Sequence, residues 1–223
     1  MKIALVGGTG GIGMGLALRW GEKHEIIIGS RNVEKAMESA AAISQHLGAA
    51  ANVLGMNNAS AVSGADVVVL CVHYEHLASV TAGLQDSYKS QLVISPVVPM
   101  TYNGLFFQYQ PPTEGSAAMQ ARSMLPQGVR VVSAFHTICA TALQDLERVM
   151  KGDAFVCGDD AQAVDITMEL AGEIKSLRPL SAGPLAVSPM MESLTPFLLN
   201  ISHKNKIKNA GIAVVSEQKI KNL

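Results

Sequence analysis

The chain has 223 residues, 48% hydrophobic, 16% charged and only 4% aromatic, enough apolar material for one large domain or one and a half. Seventeen basic residues stand against 18 acidic ones, a formal charge of −1, which argues against a nucleic-acid binder, since such domains concentrate positive charge. No apolar run approaches the ~18 residues of a membrane span.

A strand is predicted at 3–7 (IALVG), then a glycine-rich loop and a helix over 13–23. Next come a strand at 25–30, a helix over 32–47, strands at 53–56 and 66–72, a helix over 74–84 and a strand at 91–96. These strands are continuous apolar runs without polar alternation, as in a parallel sheet covered by helices on both faces. The repeating βαβ order gives an α/β fold. Residues 101–128 begin irregularly around Pro111 and Pro112, and a helix is expected over 115–124 before a strand at 129–135. A further helix is predicted over 161–177. Residues 178–196 carry prolines every five to seven positions, which resists continuous regular structure. The end, 204–223, reads as a weakly held tail.

The loop after the first strand is Gly7-Gly8-Thr9-Gly10-Gly11-Ile12-Gly13-Met14-Gly15. With Gly8, Gly10 and Gly13 as its three positions it fits GxGxxG, the loop that brings backbone N–H groups and a helix N-terminus to a pyrophosphate. NAD binders commonly place an acid ~20 residues further on to hold the ribose 2′-hydroxyl. Here the second strand ends EIIIGSRN, without a carboxylate, and Ser30 and Arg31 stand in that place. A hydroxyl and a guanidinium suit a 2′-phosphate, and Lys35 lies one helical turn beyond Arg31. NADP is therefore expected, with Asn32 as a helix N-cap.

Ligands of open α/β sheets bind at the carboxyl ends of the strands, which directs attention to Val72–His76, Pro96–Pro99 and His136–Ala140. His136, at the end of an apolar strand, is a candidate hydrogen-bond donor or proton carrier. His73 and His76 are three apart, but no third ligand or HExxH pattern accompanies them, so no metal site is expected. Ser133 and Ser181 lack the GxSxG elbow of a hydrolase. Asp159 and Asp160 precede a helix, where acids cap the backbone. The eleven methionines suit core gaps or a flat apolar pocket, and Lys204, Lys206 and Lys208 a solvated face. Cys71, Cys139 and Cys157 have no CxxC spacing, and the opening residues lack the long apolar region and cleavage site of a signal peptide. A cytoplasmic small-molecule protein with reduced thiols is the expectation.

In chain order, GGTGGIGMGLALR, IIIGSRNVEKA, VVLCVHYEH, ISPVVPM, VVSAFHTI, VCGDD, LRPLSAGPL and ESLTPFLLNI resemble the NADPH-dependent coenzyme F420 reductases, best known from archaea that use this deazaflavin. The resemblance runs from Met1 to about Ile201; 103–116 and the tail after Ser202 depart from the family pattern. It implies a Rossmann-like, doubly wound, mostly parallel sheet over 1–140, with a small C-terminal helical portion over 141–223 closing the deazaflavin crevice, assembled as a homodimer. It places NADP contacts on Thr9, Gly10, Gly11 and Ile12, and on Ser30, Arg31 and Lys35 around the 2′-phosphate. Val72, His76, Val98 and Ala140 would line the nicotinamide side. The implied reaction is reversible hydride transfer between C4 of NADPH and C5 of oxidised F420. Such a transfer needs two rings held face to face in a dry crevice and no nucleophile or metal. Val98, Ile138 and Leu194 are expected as apolar walls, and His136 as a group that polarises the deazaflavin. The alternatives are an NADP-dependent reductase of another small substrate, such as an imine or hydroxy acid, and a non-enzymatic NADP-binding regulator.

Overall fold

A computed structural model describes residues 1–216. The apolar run KIALV forms β1 (Lys2–Val6). It is followed by α1 (Gly11–Trp20), β2 (Glu25–Ser30), α2 (Val33–Leu47), β3 (Val53–Asn57), α3 (Asn58–Ser63), β4 (Val67–Leu70), α4 (Tyr74–Gly83) and β5 (Leu92–Ser95). The chain continues through β6 (Met100–Tyr102), β7 (Phe107–Tyr109), α5 (Ala117–Met124), β8 (Arg130–Ser133) and α6 (Ala140–Gln144). Last come β9 (Gly152–Gly158), α7 (Ala161–Gly172), β10 (Leu177–Gly183) and α8 (Ser188–Asn205).

One eight-stranded sheet runs β10-β9-β8-β5-β4-β1-β2-β3. All its pairs are parallel except β8 with β9. From β3 to β8 the order is that of a doubly wound Rossmann-like sheet, and chain direction across it reverses between β1 and β4, which opens a crevice at their carboxyl ends. Because successive strand residues point to opposite faces, β1 sends Ile3 and Leu5 into one core with Leu16, Trp20, Ala40 and Ile43. It sends Ala4 and Val6 into the other, with Val62, Leu77 and Ala118. Both faces are dry, which explains why the strands are apolar without alternation. Trp20 is fully buried; its Nε1 donates to Leu170 O at 3.0 Å, and its ring meets Phe135 edge-on at 5.8 Å.

The second half is more regular than its sequence suggests. Residues 178–196, expected to lack regular structure, form β10, a short 3-10 turn (Leu185–Val187) and the start of α8. Pro179 is tolerated because β10 is an edge strand, paired only with β9, so its missing N–H need not break a ladder. Pro189 stands in the first turn of α8, where an N–H would have no helical partner anyway. The irregular stretch predicted after 101 contains the antiparallel pair β6–β7. The helix expected over 161–177 stops at Gly172, since Leu177 begins β10. The predicted caps are present: Asn32 Oδ1 accepts the Lys35 N–H at 2.8 Å and Asp160 Oδ1 the Ala163 N–H at 2.8 Å. Of the predicted weak tail, Ile212 and Val214 hydrogen-bond to Asp153 of β9, and residues 217–223 lie outside the described residues. The cysteines are free; Cys157 is buried, whereas Cys71 and Cys139 are only half-buried. No described helix is long and apolar enough to cross a membrane.

Candidate active site

The glycine loop leaves β1 and enters α1 at the crevice. Gly8 N–H bonds back to Leu5 O and Gly29 O, both at 3.0 Å, closing the turn over the strand ends. A Cβ on Gly13 would stand 2.4 Å from Gly8 Cα and O; these are backbone atoms that cannot swing aside. Gly13→Ala is accordingly expected to cost about 3 kcal/mol and lower Tm by about 6–12 °C, measurable by thermal unfolding with and without NADP. Gly10 meets the opposite condition: only Gly7 O, at 3.8 Å, lies near its absent Cβ, and no side chain caps α1. The first-turn N–H groups of α1, which include those of Gly11 and Ile12, are thus left to an anionic ligand. No acid stands in that turn.

One end of the groove is a cavity of about 220 Å³ lined by Thr9, Gly10, Ser30, Arg31, Val72 and His76, among others. Ser30 closes β2 and is buried; its Oγ accepts the Asn32 N–H at 3.1 Å. Arg31 is exposed at the rim. Lys35 is exposed in the first turn of α2 and is not among the lining residues. His76 sits at this Arg31 end, apart from Val98 and Ala140; its Nε2 lies 3.6 Å from the Glu75 carboxylate.

Past Gly10 the groove widens into a cavity of about 300 Å³ between the ends of β4, β5 and β8, bounded by Gly11, Ile12, Val72, Val98, His136 and Ala140 among others. A third space, of about 320 Å³, adjoins it under α8 and shares Ile12, His136, Ile138, Ala140 and Thr195 with it. Leu194 lines neither; its neighbour Thr195 does, and Thr195 Oγ1 donates to His136 O at 2.7 Å. Two spaces with a common wall suit two flat rings, each space being near the lower end of small-molecule sites.

His136 is the polar centre of that wall. Phe135 adopts φ +71°, a conformation rare for a bulky residue and concentrated at functional sites, and this reversal carries the chain out of β8. His136 is 6% exposed, and both ring nitrogens are buried without a hydrogen bond of good geometry, although the Ser95 backbone lies close to the ring. Burial pushes its pKa down to about 3, against a weaker opposing pull from the Ser95 backbone, so the ring is neutral, with one donor and one acceptor nitrogen. Ser95 and Ser133, register partners on β5 and β8, also keep unpartnered buried hydroxyls. Such buried polar groups without partners mark a place where a ligand or water completes the hydrogen bonds.

Two supporting residues carry no motif. Arg19, near the end of α1, donates to the carbonyls of Ala142, Leu143 and Asp145 at 3.1, 2.9 and 2.6 Å. This satisfies the C-terminal carbonyls of α6 and seats that helix, which begins at Ala140, against α1. Glu192 of α8 is fully buried and accepts the Ala117 and Ala118 N–H groups at 2.9 and 3.0 Å and the Tyr109 hydroxyl at 3.0 Å. It joins α8 to α5 and to the β6–β7 hairpin. Among the described residues no group of three or more His, Cys, Asp or Glu is placed to hold a metal ion.

A family model described as coenzyme F420-dependent NADP oxidoreductase matches residues 2–99. The chain is 36% identical to the F420-dependent NADP reductase of Methanocaldococcus jannaschii over 97% of this chain and 99% of that one. It is 37% identical to the enzyme of the same name from Methanothermobacter thermautotrophicus, over 97% and 95%. These matches span most of the tail that the sequence set apart. In three dimensions the chain superposes with a TM-score of 0.81 on a crystal structure from Arthrobacter sp. FB24, provisionally named an F420-dependent NADP reductase. That likeness, at 23% identity, covers 97% of this chain and 100% of that one.

Proposed function

The chain belongs to the F420-dependent NADP reductase family, and from that premise we propose that it passes a hydride between NADP(H) and coenzyme F420, an 8-hydroxy-5-deazaflavin, in the crevice at the strand ends. The observation that carries this reading is the pair of adjoining cavities sharing a wall at Ile12, His136, Ile138 and Ala140, with the glycine loop at one end. The bound carriers supply the chemistry, a hydride moving between carbon C4 of the nicotinamide and carbon C5 of the deazaflavin.

The protein's part is to bind, orient and exclude water. The N–H groups at the start of α1, in the loop Thr9–Ile12, hold the pyrophosphate, and Gly10 gives it room. Ser30 and Arg31 take the 2′-phosphate at the groove's end, with Lys35 adding positive charge from the first turn of α2. Val72, Val98 and Ala140 wall off the nicotinamide side, while His76 serves the adenosine end. Residues 1–140 hold NADP, and the chain beyond 140 closes the deazaflavin end through Thr195, Leu198 and Leu199 of α8. Desolvation by these apolar walls and fixed orientation are the sources of rate open to a reaction that needs no nucleophile. Stopped-flow mixing of NADPH with oxidised F420 tests the reading: stoichiometric bleaching without a third substrate is expected, and its absence would refute it.

His136 is assigned to orient the deazaflavin, as a neutral ring whose free nitrogens hydrogen-bond to it. His136→Ala is expected to lower kcat/KM for F420 by about 10- to 100-fold with little change for NADP(H). Because the ring is already neutral, no activity step near pH 6.5 should arise from it. Unchanged turnover and unchanged F420 affinity would remove the assignment. We also take the protein to be a cytoplasmic homodimer. The exposed apolar pair Leu105 and Phe106, in the turn between β6 and β7, supports pairing, since adjacent exposed apolar residues mark interaction faces.

A further inference from the structure

Beyond α8 the chain doubles back as a strap over 209–214. Its first residue, Asn209, is tied down by its side chain: Oδ1 accepts Thr141 Oγ1 at 2.9 Å and Cys139 Sγ at 3.1 Å. Its far end meets Asp153 of β9, whose side chain is only 2% exposed. The Asp153 N–H donates to Ile212 O at 2.8 Å, and its Oδ2 accepts the Val214 N–H at 2.5 Å. Arg178 of β10 completes the clamp with two 2.7 Å bonds to the same carboxylate and one of 2.6 Å to Val214 O. Gly152 permits the approach, since a Cβ there would stand 3.3 Å from Ile212 O. Ala213 and Val214 are exposed and Ile212 is only half-buried, so hydrogen bonds to Asp153 and Arg178 supply much of this seat. The carboxylate is the principal anchor. At its tied start, Asn209 and Ala210 form one wall of the space under α8, which His136, Leu198 and Ser202 also line.

We infer that Asp153 is a positioning residue for the deazaflavin half of the reaction: by clamping 209–214 it holds Asn209 and Ala210 as a wall of the ring's cavity. The inference rests on the F420 reading of that cavity. The clamp lies outside the groove that runs from Arg31 to Gly10, so NADP binding does not depend on it. The bonds to the Asp153 carboxylate are charge-assisted, the stronger kind, and losing them loosens the far end of an otherwise largely exposed segment.

The test uses the full-length protein and two variants. Val214→Pro removes one N–H from the exposed end of the strap. Asp153→Asn weakens the whole clamp and carries the greater risk to folding, so Val214→Pro decides if it fails to fold. Each is expected to raise KM for oxidised F420, and its Kd by fluorescence titration, about tenfold while the Kd for NADP is unchanged. In the wild-type protein, oxidised F420 should slow amide hydrogen exchange at Gly211–Val214, and NADP should not. A Val214→Pro protein with unaltered F420 affinity, an equal loss for both carriers, or strap exchange indifferent to F420 would each overturn the inference. A wild-type protein that neither binds nor reduces F420 would overturn the functional reading and the inference with it; a wild type that does both, with Val214→Pro unaffected, overturns the clamp alone.

Discussion

Arg31→Asp is expected to lower kcat/KM for NADPH by about 10²–10³ while leaving that for NADH within about threefold. A guanidinium on a phosphate makes charge-assisted bonds worth roughly 1.5–3 kcal/mol. A carboxylate in its place adds repulsion of about 1 kcal/mol at this exposed rim, where water screens the charges. At 1.36 kcal/mol per decade the sum gives the stated range. NADH escapes both terms, since its 2′-hydroxyl can donate to the new carboxylate. Comparing kcat/KM for the two nucleotides with oxidised F420 as acceptor measures the switch, and a preference left intact would remove Arg31 from the site. Lys35 lies outside the cavity lining, so Lys35→Ala should cost only a fewfold loss that fades with added salt, as screening predicts for an exposed charge.

The place of Arg31 at the groove's rim was legible because the signal is local: one strand, its last residues and a missing acid. The glycine loop, the Asn32 and Asp160 caps and the parallel sheet were legible for the same reason, each resting on neighbours in sequence or on unbroken apolar runs. What escaped depends on partners far along the chain. Pro179 argues against a strand until β10 is known to lie at an edge. The strands β6 and β7 span three residues each, too short for any periodicity. Gly15 reads as part of the phosphate loop, yet a Cβ there would lie 2.5 Å from Leu143 Cβ, so it serves the packing of α6 on α1. The family resemblance sets His76 with the nicotinamide wall, and its place on α4 puts it along the groove with Arg31 and Thr9, a position that depends on how α4 packs. Glu192 left only a faint trace, an acid within the apolar MMESLTPFLL; its burial makes sense only once the N-terminus of α5 is known to face it.

That glutamate carries the other large effect. Glu192→Ala would leave two buried N–H groups and the Tyr109 hydroxyl without their acceptor, an expected cost of about 3–5 kcal/mol. Glu192→Gln keeps the volume and isolates the charge. Burial pushes the Glu192 carboxyl up to about 7, although the Ala117 and Ala118 N–H groups and the Tyr109 hydroxyl pull the other way. Its pKa in the unfolded chain is about 4.3, so between these values the native state holds more protons. The stability Glu192 adds is therefore complete below about pH 4.3 and is lost as the pH rises through 7, roughly 2 kcal/mol of it between pH 5.5 and 8. His136 works in the opposite sense. Held neutral with a pKa near 3, it costs stability as the pH falls below about 6.5, the ordinary histidine value. The two slopes oppose each other in the wild-type protein, whose urea stability should vary less with pH than either group alone would dictate. Subtracting the Glu192→Gln profile from the wild-type profile removes the histidine. The difference should favour the wild type more strongly at pH 5.5 than at pH 8, by about 2 kcal/mol, and parallel profiles would mean that the proton is held elsewhere.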